Sequence, residues 1–221
     1  MGFHGGIAEM VIIKDIQKDR SYVCISLDNG MQYWLKKEDL EDAGICAGTE
    51  IAEDHFNQLI RLKQYPRALS NAVAMLARRP CSKGEIRKRL REKRYTEEVS
   101  ELVIYKLEKE RLLNDEAFCE QWIRYRTERC CGPELIRREL KSKGISDDII
   151  DSALQHADQE TETESPVIIA RKAWKRIRRD EDIRKSRQKV ILSVVRKGYS
   201  WETARKACDT AEKEKNENCT D

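Results

Sequence analysis

A short pattern occurs three times along this chain, and it leaves few architectures open. Ile86-x-x-x-Leu90-x-x-Lys93-Arg94-Tyr95-Thr96 aligns with Ile136-x-x-x-Leu140-x-x-Lys143-Gly144-Ile145-Ser146 at an offset of 50 residues, and with Val190-x-x-x-Val194-x-x-Lys197-Gly198-Tyr199-Ser200 at a further 54. In each copy the i, i+4 apolar pair gives a helix one core-facing stripe. The lysine falls in the last turn, where the helix dipole favours a cation. Gly144 and Gly198 suit the left-handed position just past a helix end, and the Ser or Thr that closes each copy suits the cap of the next helix. Three copies of stripe, stop and cap describe a repeat protein.

Each unit reads as three helices. The expected spans are 66–79, 82–93 and 96–111 in the first unit, and 115–129, 133–143 and 146–158 in the second. The third holds 166–179, 183–197 and 200–214, with Ser165-Pro166 as cap and first-turn proline. The last-helix stripe thins from Val99, Leu102, Val103 and Leu107 in the first unit to Ala204, Ala207, Cys208 and Ala211 in the third, which predicts a looser terminal unit. Residues 159–164 read as a flexible joint and the last few residues as a frayed end.

The chain opens differently. Ile7–Ile16 is rich in β-branched residues, and Tyr22–Leu35 holds two alternating runs around Asp28-Asn29-Gly30. A three-residue loop with Gly30 left-handed pairs Leu27 with Met31, Ile25 with Tyr33 and Val23 with Leu35, which puts all six apolar side chains on one face. Such a hairpin is marginal alone, so the first strand and a following helix must cover it. Lys36–Ala43 reads as a short helix stopped by Gly44, and Thr49 as the cap of a helix reaching about Leu62. The expected fold is therefore mainly α: a small N-terminal β-hairpin-containing segment (1–62), then three-helix repeats at 63–113, 114–160 and 161–221.

Charged residues make up 38% of the 221, nearly matching the 39% that are hydrophobic, and aromatics only 6%. Thin helical units with a broad charged face fit that balance; a parallel sheet buried on both faces does not. No stretch approaches the apolar length of a membrane helix. The net charge of +3 hides an alternation: −4 over 1–64, +6 over 65–113, −4 over 114–160 and +5 over 161–221. Two basic segments point to a polyanion or a charged protein groove met by selected faces, although solvated helix surfaces look the same. The eight cysteines include no Cys-x-x-Cys, and His4, His55 and His156 lie far from any paired cysteines, so no metal site is expected. Without a secretory signal they read as reduced thiols of a cytoplasmic protein.

Catalytic signatures are missing: no phosphate-cradling glycine loop, no His-Glu-x-x-His and no nucleophile elbow. Asp147-Asp148 and Asp115-Glu116 fall in first helical turns, where they serve the helix dipole. Neither catalysis nor a cofactor is expected. Basic faces are the stronger signal. Arg87, Arg91 and Arg94 recur at i, i+4, i+7 opposite the Ile86/Leu90 stripe; Arg137, Lys141 and Gly144 occupy the matching line; Arg171, Lys175 and Arg178 repeat the spacing beside Ala170 and Trp174. Stacked repeats would align such faces into an intermittent basic track suited to a phosphate backbone or an acidic groove, diluted by Glu92, Glu134 and Glu139. Trp122, Tyr125 and Trp174 read as packing anchors rather than base-stacking platforms.

Arg79-Pro80-Cys81-Ser82, Glu85-Ile86-x-x-x-Leu90, Leu113-Asn114-Asp115-Glu116-Ala117-Phe118 with Arg126, and Glu139-Leu140-x-x-Lys143-Gly144-Ile145 together resemble the RecX family of recombination regulators. The similarity covers about residues 65–215 and is strongest over 76–154. It implies an elongated, curved molecule without enzymatic activity. The implied partner is the RecA recombinase filament on single-stranded DNA, met in the filament groove, with ATP hydrolysis, strand exchange and co-protease activity lowered by occupancy. The expected chain is a monomer, off the membrane, contacting its partner through Arg87, Arg91, Arg94, Arg137, Lys141, Arg171, Lys175 and Arg178. A direct binder of single- or double-stranded DNA, with no recombinase partner, is the competing expectation.

Overall fold

A computed structural model describes residues 9–160, 164–177 and 182–217. The start of the expected first strand, the centre of the expected joint, Arg178 and the last residues lie outside these ranges. The chain divides into two compact units, 1–113 and 114–221.

The first unit begins with a four-stranded antiparallel sheet, β1 (Met10–Asp19), β2 (Tyr22–Leu27), β3 (Gln32–Lys36) and β4 (Glu50–Ala52), in the order β3-β2-β1-β4. The β2–β3 hairpin has the expected register, Val23 facing Leu35 and Ile25 facing Tyr33, with Gly30 at φ +85°. Leu27 N–H donates to the Met31 carbonyl at 2.9 Å, yet the Met31 side chain remains exposed. In β1 the pairing slips between Ile13 and Asp15, so inward-facing Val11 and Ile13 give way to Ile16 after one extra residue. α1 (Lys37–Ala43) ends at left-handed Gly44 as the sequence suggests.

Two expectations about this region fail. Thr49 is no helix cap: its hydroxyl accepts from Cys46 N–H, and the next residues form β4, which borders β1. The helix expected to stop near Leu62 instead runs as α2 from Glu53 to Leu76, through Pro66, so a division at 62/63 falls inside it. Pro66 removes one N–H and crowds the carbonyl four residues back. That carbonyl belongs to exposed Leu62, where water can reach it, while packing holds the helix on both sides. Phe56 and Ile60 bury against the sheet with Val23, Ile25 and Leu35. Ala68 and Ala72 bury against the next two helices, α3 (Lys83–Glu92) and α4 (Glu97–Lys109). Between the two cores sits Gln64, a buried amide. Its Nε2 donates to the Trp34 carbonyl of β3 at 2.8 Å, and its Oε1 accepts from Thr96 N–H, at the start of α4, at 2.9 Å.

The second unit contains two further bundles: α5 (Asp115–Thr127), α6 (Pro133–Ser142) and α7 (Asp147–Glu160), then α8 (Ser165–Trp174), α9 (Ile183–Val195) and α10 (Trp201–Glu217). Helix starts follow the capping residues. Ser82 and Glu85 form a reciprocal capping box, and Thr96, Asn114 and Asp182 accept from first-turn N–H groups. Ile136, Leu140, Ile150 and Leu154 lie in the core of the first of these bundles. In the second, Ala204, Ala207, Cys208 and Ala211 are buried with Ala170 and Trp174. Small side chains here let α10 approach closely around a large indole rather than leaving the stripe exposed. The protein is thus mainly helical, with three tandem three-helix repeats behind a small sheet.

Repeats two and three meet through backbone. Gly132, the cap of α6, has no side chain with which to cap it, and its N–H donates to the Lys197 carbonyl at 2.7 Å. Glu134 N–H donates to the Gly198 carbonyl at 3.1 Å. The first N–H groups of a helix and the last carbonyls of another both lack intrahelical partners, and here each supplies the other.

Candidate partner-binding faces

In the first two repeats the basic line lies on the middle helix, α3 or α6, whereas Arg171 and Lys175 lie on and at the end of α8, the first helix of the third repeat. In each repeat the third helix supplies carboxylates that answer such cations. Arg87 on α3 grips Glu101 on α4 with two hydrogen bonds, Nε–H at 2.5 Å and Nη2–H at 3.0 Å. Arg137 on α6 pairs with Asp151 on α7, each fifty residues further along. Lys83 pairs with Glu108 in the first repeat, and in the third Arg187 pairs with both Asp209 and Glu212. By the repeat offsets, Arg187 and Glu212 stand where Lys83 and Glu108 do. These recurring pairs tie middle helix to third helix, a use that helical periodicity along one segment could not reveal. The hydrogen bonds from Arg87 hold the Glu101 carboxyl below the usual carboxylate range, and those from Arg171 do the same for Glu214.

The expected basic line is accordingly only partly open. Lys141 lies 2.8 Å from Asp147, and Arg171 holds Glu214 through Nε at 2.5 Å and Nη2 at 2.6 Å. Arg91 and Lys175 are exposed and make no ion pair among the described residues. The helix expected to carry Lys175 ends at Trp174, so Lys175 caps it and the helix stops short of the expected 179. Arg94 does not continue the Arg87/Arg91 line. α3 stops at Glu92, and Arg94 adopts φ +66°, which turns it onto the Trp34 ring 3.7 Å away and to Asp19 at 3.1 Å. The i+7 spacing assumed a helix through residue 94; the corner redirects that side chain to the sheet.

Exposed ion pairs are weak, about 0–1 kcal/mol each, because water solvates both partners nearly as well apart. Arg87, Arg137 and Lys141 can therefore exchange carboxylate for a partner's anionic group at small cost to the fold. A second cluster was not singled out as a site from sequence. On α5 and α6, Trp122 Nε1–H donates to Glu139 at 3.1 Å, Arg126 Nη2 reaches the same carboxylate at 2.5 Å, and Lys143 sits 4.2 Å from the Trp122 ring. Tyr125 lies beside Trp122, half exposed, with Arg129 over its ring at 3.9 Å. Trp122 packs against the core of its bundle and Trp174 is buried, both in keeping with the anchor reading, while Tyr125 is exposed with Arg129 over it. The signal lay in the spacing of 118, 122, 125 and 129 along one helix face.

Among the described residues no cysteine is joined to another by a disulfide, and no three His, Cys, Asp or Glu side chains stand close enough to hold a metal ion. Burial raises the Cys119 thiol to about 11, so it stays protonated at neutral pH. No described helix is long and apolar enough to cross a membrane.

Tandem three-helix repeats with charged side chains on each middle helix make a helical-repeat scaffold, an architecture that offers extended surfaces. Residues 68–107 match the family model described as RecX, first three-helix domain, and residues 114–154 match RecX, second three-helix domain. A curated relative, Regulatory protein RecX of Geobacillus kaustophilus, is 31% identical over 78% of this chain and 60% of its own length. The chain thus spans about three-fifths of that relative. The Clostridium acetobutylicum protein of the same name is 29% identical over 84% of this chain and 87% of its own. A crystal structure of a regulatory protein RecX superposes with a TM-score of 0.61 at 27% identity, covering 90% of this chain and 99% of that one. Residues 68–107 and 114–154 thus carry the two successive three-helix domains described for the RecX family.

Proposed function

We propose that this protein regulates the RecA recombinase by lodging in the groove of its filament on single-stranded DNA. It bridges neighbouring subunits there and lowers ATP hydrolysis, strand exchange and co-protease activity in recombination, DNA repair and the SOS response of the cytoplasm. The reading is carried by the two successive RecX three-helix domains at 68–107 and 114–154. It is supported by the equivalent placement of Arg87 and Arg137 on the solvent side of two middle helices, in pairs weak enough to exchange. Occupancy suffices for such a role, since a protein seated along a long polymer blocks access to it.

The test is RecA-driven, DNA-dependent ATP hydrolysis with stoichiometric protein added. A clear fall is expected, and R87E/R137E should weaken it while the protein still melts cooperatively. Unchanged hydrolysis with the parent protein overturns the proposal.

A further inference from the structure

Where the sheet meets the first repeat there is a cleft walled by β2, β3, α2 and the turn between α3 and α4. It is rich in cations, and the carboxylate that lines it, Asp39, is bound to Arg67. Lys63 and Arg94, also in its wall, are paired with Asp42 and Asp19. Lys36 and Lys93 also line it, and neither has a carboxylate partner among the described residues; Lys93 donates instead to the neutral Asn71 amide. Two positive charges are therefore left over in a concave site.

Two more observations suit an anion there. Asn71 Nδ2–H donates to the Tyr95 hydroxyl at 2.9 Å, which leaves that hydroxyl's own proton to be donated elsewhere. Burial raises the Tyr95 phenol above its ordinary value, so the proton stays on it. The cleft is also held in shape at a cost. Arg94 occupies the left-handed region, where the later repeats place Gly144 and Gly198. In that region a side chain's Cβ is crowded against the following carbonyl oxygen. Strain retained at one repeat and avoided at two marks a place where the side chain has work.

The ring content selects among anions. Tyr22 and Trp34 line the same cleft as the two lysines; Arg94 covers Trp34, while Tyr22 is exposed. An acidic peptide would use the charges and not the ring, and a duplex keeps its base faces stacked inside. An unpaired nucleotide uses both. We infer that the cleft between the sheet and the first repeat seats a phosphodiester of single-stranded nucleic acid, with Lys36, Lys93 and the Tyr95 hydroxyl on the phosphate and Tyr22 against a base. This site is distinct from the middle-helix faces, and it does not rest on the recombinase reading.

The experiment uses the whole protein and a labelled oligo-dT by fluorescence anisotropy, with no recombinase present. K36Q/K93Q is expected to weaken binding about tenfold and to flatten the log–log salt dependence by about 0.7–1.4, the share of one or two phosphates. K14Q/K18Q, an equal charge change on exposed β1 positions, should do neither. Tyr22→Ala is expected to cost at least about fivefold in affinity. In the unaltered chain, a 5-bromouracil oligonucleotide should photocrosslink to the peptides bearing Tyr22 or Tyr95. Equal losses in the two lysine pairs, crosslinks confined to other peptides, or displacement by polyglutamate as readily as by oligo-dT would each overturn the assignment. Failure here leaves the ATP-hydrolysis test untouched, and the converse also holds.

Discussion

In the first unit the corner behind α3 is an arginine at φ +66°, and its side chain reaches out to Trp34 and Asp19 of the sheet. In the second unit the equivalent corner behind α9 is Gly198 at φ +90°, and a neighbour's backbone reaches in. Both corners have the same left-handed turn, and both are where a repeat docks onto the structure beside it. One docks with a side chain and the other by lacking one. The repeat pattern therefore specifies a bend, and the residue placed at the bend specifies what it bends against.

The sharpest way to break this comparison is Gly198→Ala. An added methyl would lie 2.4 Å from both the Leu135 nitrogen and its Cβ, and the residue would be held in a conformation that alanine resists. Backbone strain and the forced separation of α6 together should cost at least about 3 kcal/mol in chemical denaturation. Amides of Gly132 and Glu134, which donate to this corner, should lose hydrogen-exchange protection first. Gly132→Ala meets the same contact from the other side, 2.4 Å from the Gly198 carbonyl oxygen, without a strained φ, and should cost less. If Gly198→Ala costs under about 1 kcal/mol, the two repeats do not depend on this close approach.

Arg94 allows a finer test, because its two contributions oppose each other. Arg94→Ala keeps the strain and loses the stacking and the ion pair, a loss of about 1–2 kcal/mol. Arg94→Gly loses the same contacts but releases strain of about 1–2 kcal/mol, partly offset by the unfolded chain's added freedom. The glycine variant should therefore melt above the alanine variant. The reverse order would mean that Arg94 is not strained at this corner, and the contrast with Gly198 would lose its basis.

The helices were legible because their signals are local. Ser82 with Glu85, Thr96, Asn114 and Asp182 each write a start, and Gly44, Gly144 and Gly198 each write a stop. The hairpin register followed from one glycine and alternating side chains. What stayed hidden depends on partners distant in sequence. β4 becomes a strand only because β1 offers an edge, and α2 continues past Pro66 because two separate cores hold its halves. The cation positions were readable as helix-face patterns, but their pairing was not. Glu101, Asp151 and Glu214 answer Arg87, Arg137 and Arg171 across helix boundaries that no single periodicity spans.

Those pairs give the smallest expected effect and decide whether the arginines serve the fold or a partner. The Glu101 carboxyl is held below its ordinary value by Arg87. A depressed carboxyl pKa adds stability that is fully present above the unfolded value near 4.5 and is lost as pH falls through the lowered folded value. The stability gap between the parent and Arg87→Ala should thus be constant from pH 7 to 5 and close on further acidification. Since the pair is exposed, that gap should not exceed about 1 kcal/mol. Arg137→Ala in the second unit should likewise cost no more than about 1 kcal/mol at neutral pH, its partner Asp151 being open to water. A loss above about 2 kcal/mol for either would make the arginine a structural clamp. Its removal could then no longer be read as the loss of the proposed partner contact. A small stability gap beside a large loss in the proposed ATP-hydrolysis test would place the side chain's purpose outside its own fold.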